Sequence, residues 1–152
     1  MPSKQRIDSP DVPAPPPETW SNCLLVGNQV FIAGMTAVTA GELVGGNSMY
    51  EQARATFRKI EHLMKAAGGV MNDVVKVNIF VTDITRREEV WQARREFLSG
   101  DFPVSTLVQV DAVGGRPDCL VEIEAVGFLG AGSASGELNR AATTQLGDRT
   151  HE

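Results

Sequence analysis

Apolar and polar positions recur with two different periods along this chain, and the changes of period mark its elements. Cys23-Leu24-Leu25-Val26 and Gln29-Val30-Phe31-Ile32-Ala33 are short apolar runs about a Gly27-Asn28 turn, a strong hairpin signal, and Gly34-Met35-Thr36 ends the second run. From Met49 the spacing turns helical, with Met49, Ala53, Phe57, Ile60, Leu63, Met64 and Ala67 returning to one face. Ser48 and Glu51 make a capping box at its start, and Gly68-Gly69 stops it. Val74 to Asp83 is a long strand dense in β-branched residues. A second capping box, Thr85 to Glu88, opens a helix through Val90, Trp91, Ala93, Arg94, Phe97 and Leu98 that ends at Gly100. Phe102-Pro103 introduces another strand, Val104 to Asp111, and the turn-rich stretch Val113-Gly114-Gly115-Arg116-Pro117 leads into the last one.

That last strand, Asp118 to Val126, organises the rest. Cys119, Val121, Ile123 and Ala125 share one face and are all apolar, which predicts a core face against the helices. Glu122 and Glu124 point the other way, toward water, a subunit partner or a ligand. A carboxylate facing a cleft is a candidate acid or base, whereas one on an open antiparallel face meets solvent or pairs with Lys and Arg. The strand is expected to pair antiparallel with the one before it. The order is two strands, helix, strand, helix, two strands, and its simplest packing is one sheet with both helices on the same face. The other face then needs cover, which oligomerisation supplies.

The ends of the chain are different in kind. Residues 1–19 are polar and proline-rich, and Pro13, Pro15, Pro16 and Pro17 enforce an extended arm that cannot join a sheet interior. Residues 20–130 form the folded domain, and 131–152, rich in Ala, Gly, Ser and Thr, make a tail with little to add to a core. Residues 37–47 are loop-like, with Gly41, Gly45 and Gly46 and no phosphate-binding fingerprint.

Composition narrows the chemistry. With 152 residues, 42% hydrophobic and 22% charged, the chain has the profile of one soluble globular domain. A net charge of −5 argues against nucleic acid as a main partner, and no apolar run approaches the length of a membrane span. Cys23 and Cys119 show no metal-ligand spacing; they are expected to be small buried hydrophobes in a reducing, cytoplasmic compartment, with no metal site. His62, at the boundary of a helix, and His151, near the end of the chain, build no Ser/His/Asp constellation. Arg86, Arg87, Arg94 and Arg95 interleave with Glu88, Glu89 and Glu96, which favours a solvated face with internal ion pairs over an anion site.

Trp20-Ser21-Asn22, Val30-Phe31-Ile32-Ala33-Gly34-Met35, Ala66-Ala67-Gly68, the stretch Asp73 to Asp83, Phe102-Pro103 and Val121-Glu122-Ile123-Glu124-Ala125-Val126 resemble, in order and spacing, the RidA/YjgF family over roughly residues 18–128. The resemblance implies a chorismate-mutase-like α+β fold and a homotrimer with three inter-subunit clefts. It also implies hydrolysis of reactive enamines and imines of a small-molecule substrate, releasing ammonia and a 2-oxo acid without metal or organic cofactor. In that scheme an arginine after the Phe-Pro motif grips the substrate carboxylate, and the first glutamate of the Glu-x-Glu strand, here Glu122, positions or activates water.

The departures matter as much. Ser105 stands where the arginine should be, and a hydroxyl cannot make a bidentate grip on a carboxylate. Trp20 replaces a frequent tyrosine, Ala33 a serine and Trp91 an asparagine. The chain therefore resembles an arginine-lacking subgroup, with a substrate other than a simple 2-imino acid. On this mapping Glu122 is the water-positioning base, Ser105 and Thr106 line the pocket, and Gly34, Met35 and Trp20 shape the rest. Ser105 is equally well a strand residue bonded to backbone, Trp20 a plug on the hairpin, and Met35 core filler. Arg116 and Arg94 are the conceivable substitutes for the missing arginine. The alternative to a deaminase is a non-catalytic small-molecule-binding or chaperone-like trimer; the ribonuclease activity sometimes attributed to the family is disfavoured by the acidic balance.

Overall fold

The computed structural model describes residues 1–132. In chain order the elements are β1 (Lys4–Arg6), β2 (Cys23–Val26), β3 (Gln29–Met35), β4 (Val38–Thr39), β5 (Glu42–Leu43), α1 (Met49–Ala66), β6 (Val74–Val81), α2 (Arg87–Arg94), β7 (Val104–Gln109) and β8 (Val121–Phe128), with single 3-10 turns at Met71–Asp73 and Ile84–Arg86. Six strands form one mixed sheet in the order β1-β2-β3-β8-β6-β7, while β4 and β5 make a small separate hairpin. The fold is α+β, with both helices on one face of the sheet.

The expected neighbour of β8 is corrected here. β8 does not pair with β7; it lies between β3 and β6 and is antiparallel to both, while β7 runs parallel to β6. The crossover through α2 forces this, because a helix between two strands returns the chain in the same direction and leaves β6 and β7 side by side. The crossover through α1 leaves a gap of one strand between β3 and β6, and β8 fills it. The glutamate-bearing strand is thus central, with neighbours on both edges.

The hairpin turn forms as its sequence requires, with Gly27 at a left-handed φ of 61°. At the start of α1 the Ser48 hydroxyl accepts the Glu51 amide at 3.1 Å, but the return half of the box is absent: Ser48 N–H donates to Gly45 O, and the Glu51 carboxylate takes Arg54 instead. At the other end Gly68 has φ 94°, and the amides of Gly68 and Gly69 return to Lys65 and Met64, a Schellman stop. The second capping box is replaced. Asp83 caps the 3-10 turn through the amide and hydroxyl of Thr85, and Glu88 pairs with Arg95, so α2 begins at Arg87.

The arm is not wholly free of the sheet. Lys4–Arg6 adds an edge strand to β2, and Ile7 and Val12 are buried, while the prolines stay outside the ladder. The core lies between α1 and the sheet, where Phe57, Ile60, Leu63, Met64, Val77, Ile79, Val121 and Ile123 are fully enclosed. Each such side chain contributes about 2 kcal/mol of burial. α2 packs on α1 through Val90 and Ala93, and Phe97 stacks on Phe57 at 5.8 Å. His62 sits at the edge of α1, with Nδ1 3.5 Å from the Asp11 carboxylate. The tail expected over 131–152 lies, from 133 on, outside the described residues. Among the described residues no helix is long and apolar enough to cross a membrane.

Candidate functional site

Alternation along β8 puts Glu122 and Glu124 on the sheet face away from the helices, half-buried, as expected. Glu124 Oε1 accepts from Asn78 Nδ2 at 2.8 Å, in a depression of about 330 Å³ lined by Phe31, Lys76, Asn78 and Val126. Glu122 is held differently. Its Oε2 accepts the Gly114 amide at 3.1 Å, and its Oε1 occupies the space where a Cβ on Gly34 would sit, 2.1 Å away. The β3–β8 register shifts between Ile32 and Met35, so the backbone at Gly34 bulges over the carboxylate.

Three side chains fix this arrangement from behind. Arg116 grips Asp118 with two hydrogen bonds, of 2.8 and 2.7 Å, and donates a third to Gly41 O, which ties down the turn that carries Gly114. The guanidinium holds the Asp118 carboxyl below the usual carboxylate range. Gln52, fully buried on α1, donates to Gly46 O and Asp118 O and accepts from the Leu120 amide, so it sets the start of β8. Neither Gly114 nor Gln52 stands out by sequence reasoning. For Gln52 the available signal is a polar residue at an apolar position of the helical period.

Trp20, Gly34 and Met35 come together around a cavity of about 180 Å³, with Asn22, Thr36, Lys59 and the arm prolines. Trp20 is more than half exposed, and its Nε1 donates to Asn22 Oδ1 at 3.2 Å, so it walls the cavity rather than plugging the hairpin. Met35 is both core filler and lining: it is buried and pairs with Ile123. Lys59 is buried with its ammonium on Val38 O, and burial lowers its pKa.

Ser105 and Thr106 are not part of this assembly. They lie on β7, with β6 between them and β8; Ser105 is in register with Val77 and Ala125, whereas Glu122 is in register with Phe80. Two strand spacings and three residues of rise separate Ser105 from Glu122 by roughly 14 Å. Being adjacent in a strand, Ser105 and Thr106 also face opposite sides of the sheet, so one chain does not line a single pocket with both. β7 is an exposed edge, with Val104 and Val108 open to solvent. On the helix side at this edge, Trp91, Arg94, Arg95 and Phe102 line a second cavity of about 190 Å³.

Much of the arginine cluster is internally paired, as its interleaving implies: Arg86 binds Glu89 at 2.6 Å and Arg95 binds Glu88 at 3.2 Å. Arg94 differs. Its Nε and Nη2 are buried and have no hydrogen-bond partner among the described residues. No group of three or more His, Cys, Asp or Glu among those residues is placed to hold a metal ion.

Residues 12–128 match the family profile described as Endoribonuclease L-PSP. The chain belongs to the RidA/YjgF family. A 2-iminobutanoate/2-iminopropanoate deaminase of Dermatophagoides farinae is 30% identical over 126 residues, 82% of this chain and 96% of that protein. Among solved structures, RidA from an Antarctic Psychrobacter superposes with a TM-score of 0.73 at 32% identity, covering 82% of this chain and 99% of that one. A Pseudomonas aeruginosa protein of unknown function superposes with a TM-score of 0.76 at 36% identity, covering 86% and 95%. The chorismate-mutase-like fold of the RidA/YjgF family is therefore the fold of this chain, and the matched region reaches into the arm as far as Val12.

Proposed function

We propose that this chain is a cofactor-independent hydrolytic deaminase of reactive enamines or imines, acting in the cytoplasm as a homotrimer. The observation that carries this reading is the held carboxylate of Glu122, with one oxygen fixed by the Gly114 amide and the other against the bare backbone of Gly34. A carboxylate so placed takes a proton from water as the water oxygen bonds to the C=N carbon. It returns that proton to nitrogen to give a carbinolamine, then carries a second proton from the new hydroxyl to nitrogen, so that the C–N bond breaks, ammonia leaves and a carbonyl remains. Deaminase names among the family relatives support the same chemistry.

The trimer reading is supported by the division of the site. Glu122 and Gly34 lie on the inner strands β8 and β3 and Ser105 and Thr106 on the edge strand β7, and apposing the exposed edge β7 of one subunit to the Glu122 side of the next would join them. The substrate is proposed to be other than a simple amino-acid-derived 2-imino acid, because Ser105 offers no guanidinium at the position where the family keeps one.

The test is ammonia release from freshly generated imines and enamines, half of them bearing a 2-carboxylate and half lacking it, with Glu122→Gln as control. Glu122-dependent turnover confined to the half without a 2-carboxylate is expected. Turnover nowhere on the panel would sink the deaminase reading in favour of a binding or chaperone-like trimer.

A further inference from the structure

We propose that Arg94 anchors the carboxylate of a flat, apolar substrate, and so does from α2 what a guanidinium at position 105 would do from β7. This rests on the deaminase reading and names the substrate class for it. Of the two arginines that could replace the missing one, Arg116 is excluded because Asp118 and Gly41 O occupy it. Arg94 is unoccupied at Nε and Nη2, which are buried without an acceptor among the described residues.

Two buried guanidinium nitrogens without an acceptor are costly, and native proteins keep such groups mainly where something else completes them. The charged neighbour of Arg94 on its own helix is Arg95, a like charge, and both burial and Arg95 lower the Arg94 pKa. Arg95 itself is neutralised by Glu88. An anion would satisfy these nitrogens, and the cavity that Arg94 lines, reached by a small turn of the side chain, is its route. Trp91 and Phe102 are the other walls of that cavity, and they offer ring faces to a flat body. At about 190 Å³ the cavity takes a carboxylate and part of a ring or conjugated chain, not a whole substrate. The carboxylate would then sit away from the position adjacent to the imine carbon, in keeping with Ser105. An inorganic anion would satisfy the charge but make no use of the two aromatic walls.

The probe is 4-fluorobenzoate, titrated into the full chain and followed by its fluorine resonance. Saturable binding is expected, weakened at least about tenfold by Arg94→Gln, as loss of a charge-assisted pair requires. Arg94→Lys, which keeps the charge but loses the fork, should fall between, and exposed Lys65→Gln should bind like the parent. Equal binding by Arg94→Gln, absence of saturable binding by the parent, or sulfate displacing the probe as well as benzoate does would each overturn the proposal. So would a change of oligomeric mass in Arg94→Gln with no probe binding by the parent, since a second chain would then be the partner. The titration needs no turnover. Arg94-dependent binding in a protein that releases no ammonia would leave the anchor standing and remove the deaminase reading.

Discussion

Gly34 and Glu122 exclude one another's side chains: a methyl group on Gly34 would lie 2.1 Å from Glu122 Oε1. The atom met is the far end of a flexible side chain, and Gly34 does not require a left-handed φ. Gly34→Ala is therefore tolerated by the fold and paid for by the carboxylate, which must swing out of place. The melting temperature should stay within about 4 °C of the parent, roughly 1 kcal/mol for a chain of this size. Imine hydrolysis should drop about 10²-fold, approaching the loss in Glu122→Gln. Thermal melts and ammonia release on the same preparation check both halves, and full activity in Gly34→Ala would show that Glu122 need not sit there.

Gln52 is a polar side chain completely inside the core, using its amide to join α1, the loop at Gly46 and the start of β8. Gln52→Leu leaves the Gly46 and Asp118 carbonyls and the Leu120 amide without their partner, at a cost of about 3 kcal/mol. The melting temperature should fall by roughly 10 °C. Because Leu120 precedes Glu122 by two residues, catalysis at a temperature where the variant is folded should fall as well.

The elements were legible in the sequence because each depends on local periodicity: the Gly27 turn, the apolar face of α1, and the in-out alternation that turns Glu122 away from the core. The sheet order was not legible, since where β8 inserts depends on the gap left by the α1 crossover, a non-local fact. The start of α2 was misplaced because Thr85 and Glu88 have the spacing of a capping box while Asp83, two residues earlier, captures the Thr85 amide and hydroxyl first. Family motifs in the sequence single out Glu122, Gly34, Met35 and Trp20; in the structure Gly34 meets Glu122, and Gly34, Met35 and Trp20 share a cavity. Gly114 and Gln52 were not, as a backbone donor and a buried amide leave almost no pattern.

Ser105 is exposed at an edge strand, so a longer side chain meets no core there. Ser105→Arg should leave the fold intact and introduce the guanidinium whose absence we propose to set the substrate. Hydrolysis of 2-iminobutanoate is expected to rise at least about tenfold in kcat/KM, the effect of one bidentate carboxylate pair. An unchanged rate would mean that position 105 does not face the substrate.

Cys23 and Cys119 are both buried free thiols. Burial, with Asp8 nearby, pushes Cys23 up to about 11, and burial together with Asp118 raises Cys119. Thiolate is the reactive form, so neither should react appreciably with a disulfide reagent at pH 8 in the native state. Both should react at once in denaturant. Rapid labelling of the native protein would show that one of them becomes exposed by local opening.

Glu89 links the two helices: its carboxylate binds Arg86 at 2.6 Å and accepts the Tyr50 amide in the first turn of α1 at 3.3 Å. The Arg86 hydrogen bond comes first among the causes that hold its pKa below the ordinary value of 4.5. A carboxyl depressed in the folded state stabilises it above the unfolded pKa, and that contribution disappears as pH falls through the lower, folded value. Glu89→Gln should accordingly melt below the parent at pH 7. The gap should hold down to roughly pH 5, close progressively below about 4.5, and vanish once the parent's own carboxyl is protonated. Melting curves of the two proteins from pH 7 to pH 3 measure this directly. A gap constant across that range would assign the effect to the shape of the side chain rather than to its charge.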